Sequence, residues 1–300
     1  MKVSYIICYS STWPMTKFDP TCWKEPDLEL DKKILYQTNK LLQQIYTIPG
    51  EKEIILVDNS GDFILELNNK NLKIIEGFGA LYKKFEGNEK EIKIRFNEEL
   101  KIFNISDEIE YNIFKSDQAQ ITALAYNQGI AAATGDYIIM QHNDTKYLFD
   151  DYSKETVIYD AVKMLMENNY EYLSVDKKEV KNTNFKEYNK KVEYCADCYW
   201  FICRKDFFTK HKIWVDWNRG DNNHLATFIC ANKNLKYKHL PGFYEGPSKF
   251  ERKFWADYFN HRYNYNTDGT RFHLLYNKPF LEHIKGGTGL RKLKDNDFIV

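Results

Sequence analysis

The triplet His142-Asn143-Asp144 sets an imidazole, a carboxamide and a carboxylate at the end of the apolar run Tyr137-Ile-Ile-Met140. An imidazole and a carboxylate so close together can hold a divalent cation. The nitrogen donor favours manganese, whereas oxygen donors alone suit magnesium. The stretch Ala123-Leu-Ala-Tyr-Asn127-Gln-Gly129-Ile-Ala-Ala-Ala-Thr134 before it reads as a small-residue helix, with Gly135 as its stop. A ligand delivered at a strand end beside a helix is how an open α/β sheet builds a phosphate site, because ligands sit outside the carboxyl ends of the strands. Two further acids end or begin elements: Asp58 closes Glu53-Ile-Ile-Leu-Val57, and Asp221 opens a helical pattern after Trp214-Val-Asp216-Trp217.

These residues need a scaffold, and the pattern supplies one. Val3–Tyr9 is a buried first strand, and the loop Ser10 to Pro14 follows it. From Asp27, apolar residues recur at helical spacing through Ile45 until Pro49-Gly50. Glu53–Asp58 and Leu72–Glu76 are further strands, and Asp58-Asn-Ser-Gly-Asp62 carries turn chemistry. Strand, helix, strand at this spacing predicts a parallel sheet with right-handed crossovers. Residues 81–112 read as an insertion, with Ile92–Phe96 and Leu100–Phe103 alternating as a β-hairpin. Helices are predicted from Ser116 or Asp117 to Thr134, from Ser153 to about Asn168, and from Asp221 to Asn232. Glu193 to Arg204 reads as one long strand. The last residues, 246–300, carry Phe250, Phe254, Trp255, Tyr258 and Phe259 at helical spacing opposite Lys249, Arg252 and Lys253, a C-terminal helical extension. Gly286-Gly-Thr-Gly289 lacks the Lys-Ser/Thr of a phosphate loop and reads as a turn.

Composition excludes some classes. Lys plus Arg and Asp plus Glu are 43 each, a formal net charge of zero. Bulk nucleic acid is therefore an unfavourable partner, since its binding needs a basic face. Met1-Lys2 before Val3–Cys8 has no small-residue cleavage site and reads as a strand, not a leader. No apolar run approaches the ~20 residues that span a bilayer. The expectation is a cytoplasmic protein with reduced thiols. Cys195-Ala-Asp-Cys198 has the spacing of a zinc pair but no second pair, and fits an aromatic strand.

The block 123–144, with Ile55-Leu-Val-Asp58-Asn-Ser60, resembles family 2-type glycosyltransferases, from their helix into the Asp-X-Asp metal motif. The resemblance spans about residues 1 to 245. It implies a GT-A fold, an α/β Rossmann-like mostly parallel sheet flanked by helices, with a donor half (about 1–150) and an acceptor half (about 151–245). It implies an inverting transfer from a UDP- or GDP-sugar to a hydroxyl of a glycan or other acceptor, assisted by Mn2+ or Mg2+. Tyr9, Ser10, Ser11 and Asp58 would hold the nucleoside, with Asn127 and Asn143 beside the donor. Asp144 and His142 would bind the metal, with His224 or His239 as a further ligand. Asp221 would be the general base and Asp216 its substitute, while Trp214 or Trp217 could stack on a sugar. Here His142-Asn143-Asp144 replaces the Asp-X-Asp triplet, and Gly220 stands where a Glu often precedes the base. Two alternatives remain. One is a degenerate sugar-binding or assembly module. The other is a sugar-phosphate nucleotidyltransferase, which should open on a glycine-rich basic loop that Tyr9 to Pro14 lacks. The C-terminal helix could meet a membrane surface or a second copy of the chain.

Overall fold

The computed structural model describes residues 1–18, 25–64, 70–88, 90–92, 94–95, 118–175, 177–179, 192–196, 199–211, 222–241 and 270–284. The described elements, in chain order, are β1 (Lys2–Tyr9), α1 (Thr12–Phe18), α2 (Leu28–Thr47), β2 (Glu51–Asp58), β3 (Leu72–Glu76), α3 (Phe78–Lys84) and α4 (Gln118–Ala132). There follow β4 (Tyr137–His142), β5 (Thr145–Tyr147), α5 (Val157–Glu167), β6 (Tyr172–Val175), β7 (Lys177–Glu179), β8 (Tyr194–Ala196) and β9 (Trp200–Arg204). The last are α6 (Asp206–His211), α7 (Asn222–Asn232), β10 (Lys238–Leu240), β11 (Thr270–Leu275) and β12 (Lys278–Ile284).

Seven strands form an α/β sheet in the order β10-β6-β9-β4-β1-β2-β3. Every neighbouring pair is parallel except those that involve β9, which runs against both β4 and β6. Strand residues alternate between two apolar layers. Ile6, Ile55, Ile138, Met140 and Phe201 pack under α3, α4, α6 and α7. Tyr5, Ile7, Leu56, Ile139 and Trp200 pack under α2, α5 and the hairpin β11–β12. Period-two alternation between two greasy faces is what a strand buried on both sides requires.

Local chemistry explains the element limits. Asp27 caps α2, its Oδ1 accepting the Leu30 N–H at 3.0 Å, as the first-turn amides of a helix demand. α4 lies close on β1. A Cβ on Gly129 would stand 2.2 Å from Ile6 Cγ2, so only glycine lets the helix settle there. Gly135 plays a similar part. It is not in the left-handed region expected of a helix stop. Its Cβ would instead meet Ser4 Oγ at 2.6 Å and the Lys2 carbonyl oxygen at 2.9 Å.

Several expectations are corrected. The loop expected over Ser10 to Pro14 ends at Ser11, because Thr12–Phe18 is helical, with Pro14 in the first turn where its missing N–H costs nothing. Ile92, Ile94 and Arg95, assigned to a hairpin strand, are helical. Ile92 is fully buried while Ile94 is exposed, opposite fates for residues that one strand would place on one face. Leu100–Phe103 lies outside the described residues. The long strand over 193–204 is two strands, β8 pairing with β7 and β9 with the main sheet. The C-terminal region is not wholly helical, because β11 and β12 form an antiparallel hairpin whose second strand pairs with β5. Its turn, Tyr276-Asn277, has φ of 49° and 61°, the two positive values of a tight hairpin turn. The aromatic stripe 250–259 and Gly286–Gly289 lie outside the described residues. Among the described residues, no helix is long and apolar enough to cross a membrane.

Candidate metal centre

The sheet changes direction of winding at β1. The chain leaves β1 for β2 and β3 on one side, then returns to place β4 on the other. The crevice at the carboxyl ends of such diverging strands is where open α/β sheets bind ligands. The register sets three residues named from the sequence along that edge. Tyr9 pairs with Asp58, and Cys8 pairs with His142.

Beyond His142 the chain turns sharply and enters β5. Two polar side chains of α2 hold this short strand on one edge. Gln44 donates to the Tyr147 carbonyl at 2.9 Å and accepts the Tyr147 N–H at 2.9 Å. Gln37 donates to the Thr145 carbonyl at 3.3 Å. Asn143 donates to Thr38 Oγ1 at 3.1 Å, which ties the turn to the same helix. On the other edge β12 pairs with β5, and His283 stands opposite Thr145.

That pairing assembles the centre. His142 Nδ1 lies 3.7 Å from Asp144 Oδ1, and His283 Nε2 lies 3.5 Å from Asp144 Oδ2. Ligand atoms of the three residues all lie within 4.8 Å of one another. Two ligands that share one ion at about 2.1 Å each sit roughly 3 to 3.5 Å apart. The two contacts to Asp144 are close to that spacing, while the widest separation in the group would shorten as the residues closed on a cation. His283 is wholly buried, and its Nδ1 has no hydrogen-bond partner among the described residues. Buried imidazoles normally have both nitrogens engaged. Burial would raise the Asp144 carboxyl, but the His283 and His142 imidazoles outweigh it and hold the carboxyl below its ordinary range. It stays an anion, the form that binds metal. Two imidazoles and one carboxylate are a donor set for a transition divalent cation in preference to magnesium. Aromatic rings fix the imidazoles: Tyr199 lies 3.5 Å, centroid to centroid, from His283 and 4.9 Å from His142.

No family model matches this chain, and no curated protein matches it. Among solved structures it is similar to S. aureus TarS 1–349, at 14% identity and a TM-score of 0.40. That match covers 79% of this chain and 57% of the TarS chain, so this chain spans little more than half of it. It is also similar to 4-diphosphocytidyl-2C-methyl-D-erythritol synthase from Anaerococcus prevotii DSM 20548, at 12% identity and a TM-score of 0.41, covering 87% of this chain and 99% of that one. UDP-glucose pyrophosphorylase from Acinetobacter baumanii is similar at 11% identity and a TM-score of 0.32, over 87% and 93% of the two chains. These likenesses are remote, and the chemistry rests on the site itself.

The other residues named from the sequence fall as follows. The Asp58 carboxylate accepts the N–H groups of Ser60, Gly61 and Phe63 at 2.8, 2.9 and 3.0 Å, which shapes the loop after β2. Ser11 N–H donates to Ser60 Oγ at 2.6 Å, and its hydroxyl donates to Asp62 at 2.9 Å. Ser10 donates to the Ser11 carbonyl. Burial, then the charges of Asp62, Asp58 and Asp31, push the Tyr9 phenol up, so it remains a neutral donor. Asn127 is fully buried on α4. His239 is not brought to the centre. It lies on β10, three strand positions from β4, about 14 Å at ordinary strand spacing, and its Nδ1 is 2.9 Å from Ser174 Oγ. His224 lies in α7. Asp216, Asp221, Trp214, Trp217 and Cys198 lie outside the described residues. Cys195 is buried, and among the described residues no cysteine joins a metal-binding group.

His283 is the residue the spacing along the chain did not reveal. The alternation of Phe272, Leu274, Phe280 and Glu282, around a two-residue turn bearing Asn277, is the signal that marks its hairpin.

Proposed function

We propose that this chain is a GT-A-type, metal-assisted, inverting glycosyltransferase that uses a UDP- or GDP-linked sugar. The observation that carries it is the convergence of His142, Asp144 and His283 at the carboxyl edge of the sheet, next to the β1–β4 switch in strand order. A cation held by these three residues, best manganese, would neutralise the negative charge that gathers on a departing diphosphate. The loop after β1 and the Asp58-shaped loop after β2 stand along the same edge and are proposed to hold the nucleoside. Backbone amides turned in by Asp58 give that second loop a fixed form.

Asp221, just before α7, is proposed as the general base, with Asp216 as the substitute. It would take the proton of the acceptor hydroxyl as that oxygen attacks the anomeric carbon. The diphosphate leaves from the opposite face, so the configuration inverts. The acceptor is proposed to be a glycan or another hydroxyl-bearing molecule. A cytoplasmic setting is proposed, in keeping with the buried thiols of Cys8, Cys203 and Cys230.

Titration calorimetry with UDP and GDP, with and without Mn2+, tests the reading, followed by a panel of nucleotide sugars scored for hydrolysis. Manganese-dependent nucleotide binding together with hydrolysis of one donor is the expected result. Binding without turnover of any donor would favour a sugar-binding module. No nucleotide binding in either condition would end the proposal.

A further inference from the structure

Behind the centre, four interior side chains form one hydrogen-bond chain with a single direction. Trp200 Nε1–H donates to Tyr147 Oη at 3.1 Å. The Tyr147 hydroxyl donates to Gln141 Oε1 at 3.0 Å. Gln141 Nε2 donates to Thr145 Oγ1 at 2.8 Å, and Thr145 Oγ1 donates to the His142 carbonyl at 2.6 Å. All four side chains are at most 1% exposed. An indole N–H can only donate and a carbonyl can only accept, so the two ends fix the sense of every hydroxyl between them.

Packing alone gives no reason for this arrangement, since apolar residues would fill the same space without the risk of an unmade bond. The two ends of the chain show what it orients. It stops on the backbone of His142, whose imidazole is one ligand. Its last member, Thr145, is the residue of β5 that sits opposite His283 in the register. Thr145 therefore joins the β4 turn, which carries His142 and Asp144, to the strand that carries the third ligand.

We propose that Thr145, Gln141 and Tyr147 are positioning residues, which set the three ligands in binding geometry before an ion arrives. The idea rests on the metal reading above and deepens it. Groups behind a metal centre typically change affinity ten- to hundredfold when removed.

The test uses the full chain and Mn2+ alone, with no nucleotide. Affinity is measured by calorimetry, the bound ion by electron paramagnetic resonance, and stability by thermal unfolding without metal. Thr145→Val removes the hydroxyl at nearly constant volume, Thr145→Ser keeps it, and Tyr147→Phe cuts the chain higher up. Thr145→Val and Tyr147→Phe are expected to bind Mn2+ about ten- to hundredfold more weakly, with an altered resonance spectrum. Thr145→Ser should restore most of the affinity. A purely structural role would lower the unfolding temperature and leave affinity and spectrum unchanged, which would overturn the proposal while the metal reading stands. Failure of both Thr145→Val and Tyr147→Phe to fold would overturn it too, because the chain would then serve folding alone. If the unaltered protein binds no Mn2+, the metal reading itself falls, an outcome distinct from the other two.

Discussion

His283 reaches Asp144, with Nε2 at 3.5 Å from Oδ2, because β12 pairs antiparallel with β5 and sets His283 opposite Thr145. A one-residue slip of that pairing would turn His283 to the other face of the small sheet and put Glu282 in its place. The centre therefore depends on strand register as much as on the identity of its ligands.

Removal of single ligands gives the first prediction. Asp144→Asn and His283→Ala should each abolish measurable Mn2+ binding and lower sugar transfer at least a hundredfold, while circular dichroism stays native. His239→Ala should leave Mn2+ affinity unchanged, since β10 holds that residue three strand positions away from β4. Calorimetry on the three variants decides. Equal losses for His239→Ala and His283→Ala would refute the assignment.

Gly129→Ala makes a second test, one in which local and tertiary effects oppose each other. Alanine favours an isolated helix by up to about 1 kcal/mol over glycine. Here the new methyl would stand 2.2 Å from Ile6 Cγ2, inside a fully buried layer. Overpacking of this kind costs about 1–3 kcal/mol. The net expectation is a loss of stability, read from the midpoint of urea unfolding. A gain would mean that α4 does not rest on β1 as described.

The third prediction concerns acid. Glu53 accepts from Ser4 Oγ at 2.5 Å, the Thr134 N–H at 2.5 Å and the Thr134 hydroxyl at 2.9 Å, with Lys2 Nζ at 3.5 Å. Burial would raise its carboxyl, but those hydrogen bonds and the Lys2 ammonium outweigh burial and hold it below its ordinary value. A depressed folded-state value means the stabilisation is whole above the unfolded value, about 4.3. It is lost as the pH falls from there through the folded value. Unfolding followed from pH 7 to pH 3 should therefore show a steeper decline for the native chain than for Glu53→Gln. Parallel curves would remove Glu53 from the acid response.

Asp58→Ala should loosen the loop after β2 by removing the acceptor of three backbone N–H groups. Hydrogen bonds to charged groups are worth roughly 1.5–3 kcal/mol each, part of which water regains at this loop. A loss of about 1–3 kcal/mol is expected, with weaker UDP or GDP binding in calorimetry. Unchanged stability would show that the loop keeps its form without the carboxylate.

Much of the sheet was legible locally. Two-sided burial makes β1, β2 and β4 continuous apolar runs, and the 3.6-residue period of Ile34, Thr38, Leu41 and Ile45 marks α2. Where several local signals agreed, as at Asp27 ahead of α2, the element limit followed. Period alone misled at Ile92–Arg95, because a short apolar-polar alternation fits a helix turn as well as a strand. It also missed the break within 193–204, because an aromatic strand looks alike whether it pairs with β7 or with β4.

The centre was half visible. His142 and Asp144 are neighbours along the chain, and an imidazole next to a carboxylate at a strand end is a readable pattern. The expected further ligand was His224 or His239, whereas the structure brings His283 beside Asp144. Nothing in the chain's linear order distinguishes one remote histidine from another, since proximity between distant residues is set by strand pairing.

Residue type and period, on their own, determined strands β1 to β4 of the sheet and placed His142-Asn143-Asp144 at the end of β4, but they did not reveal β6 or β10. Burial of both sheet faces is a local demand that every strand must meet in its own residues. The tertiary structure alone decided that β9 runs antiparallel, that α1 forms, and that a hairpin near the end of the chain closes over Asp144. Those outcomes depend on which hydrogen-bonding edges meet once the layers pack, and that is a property of the whole assembly, not of any one segment.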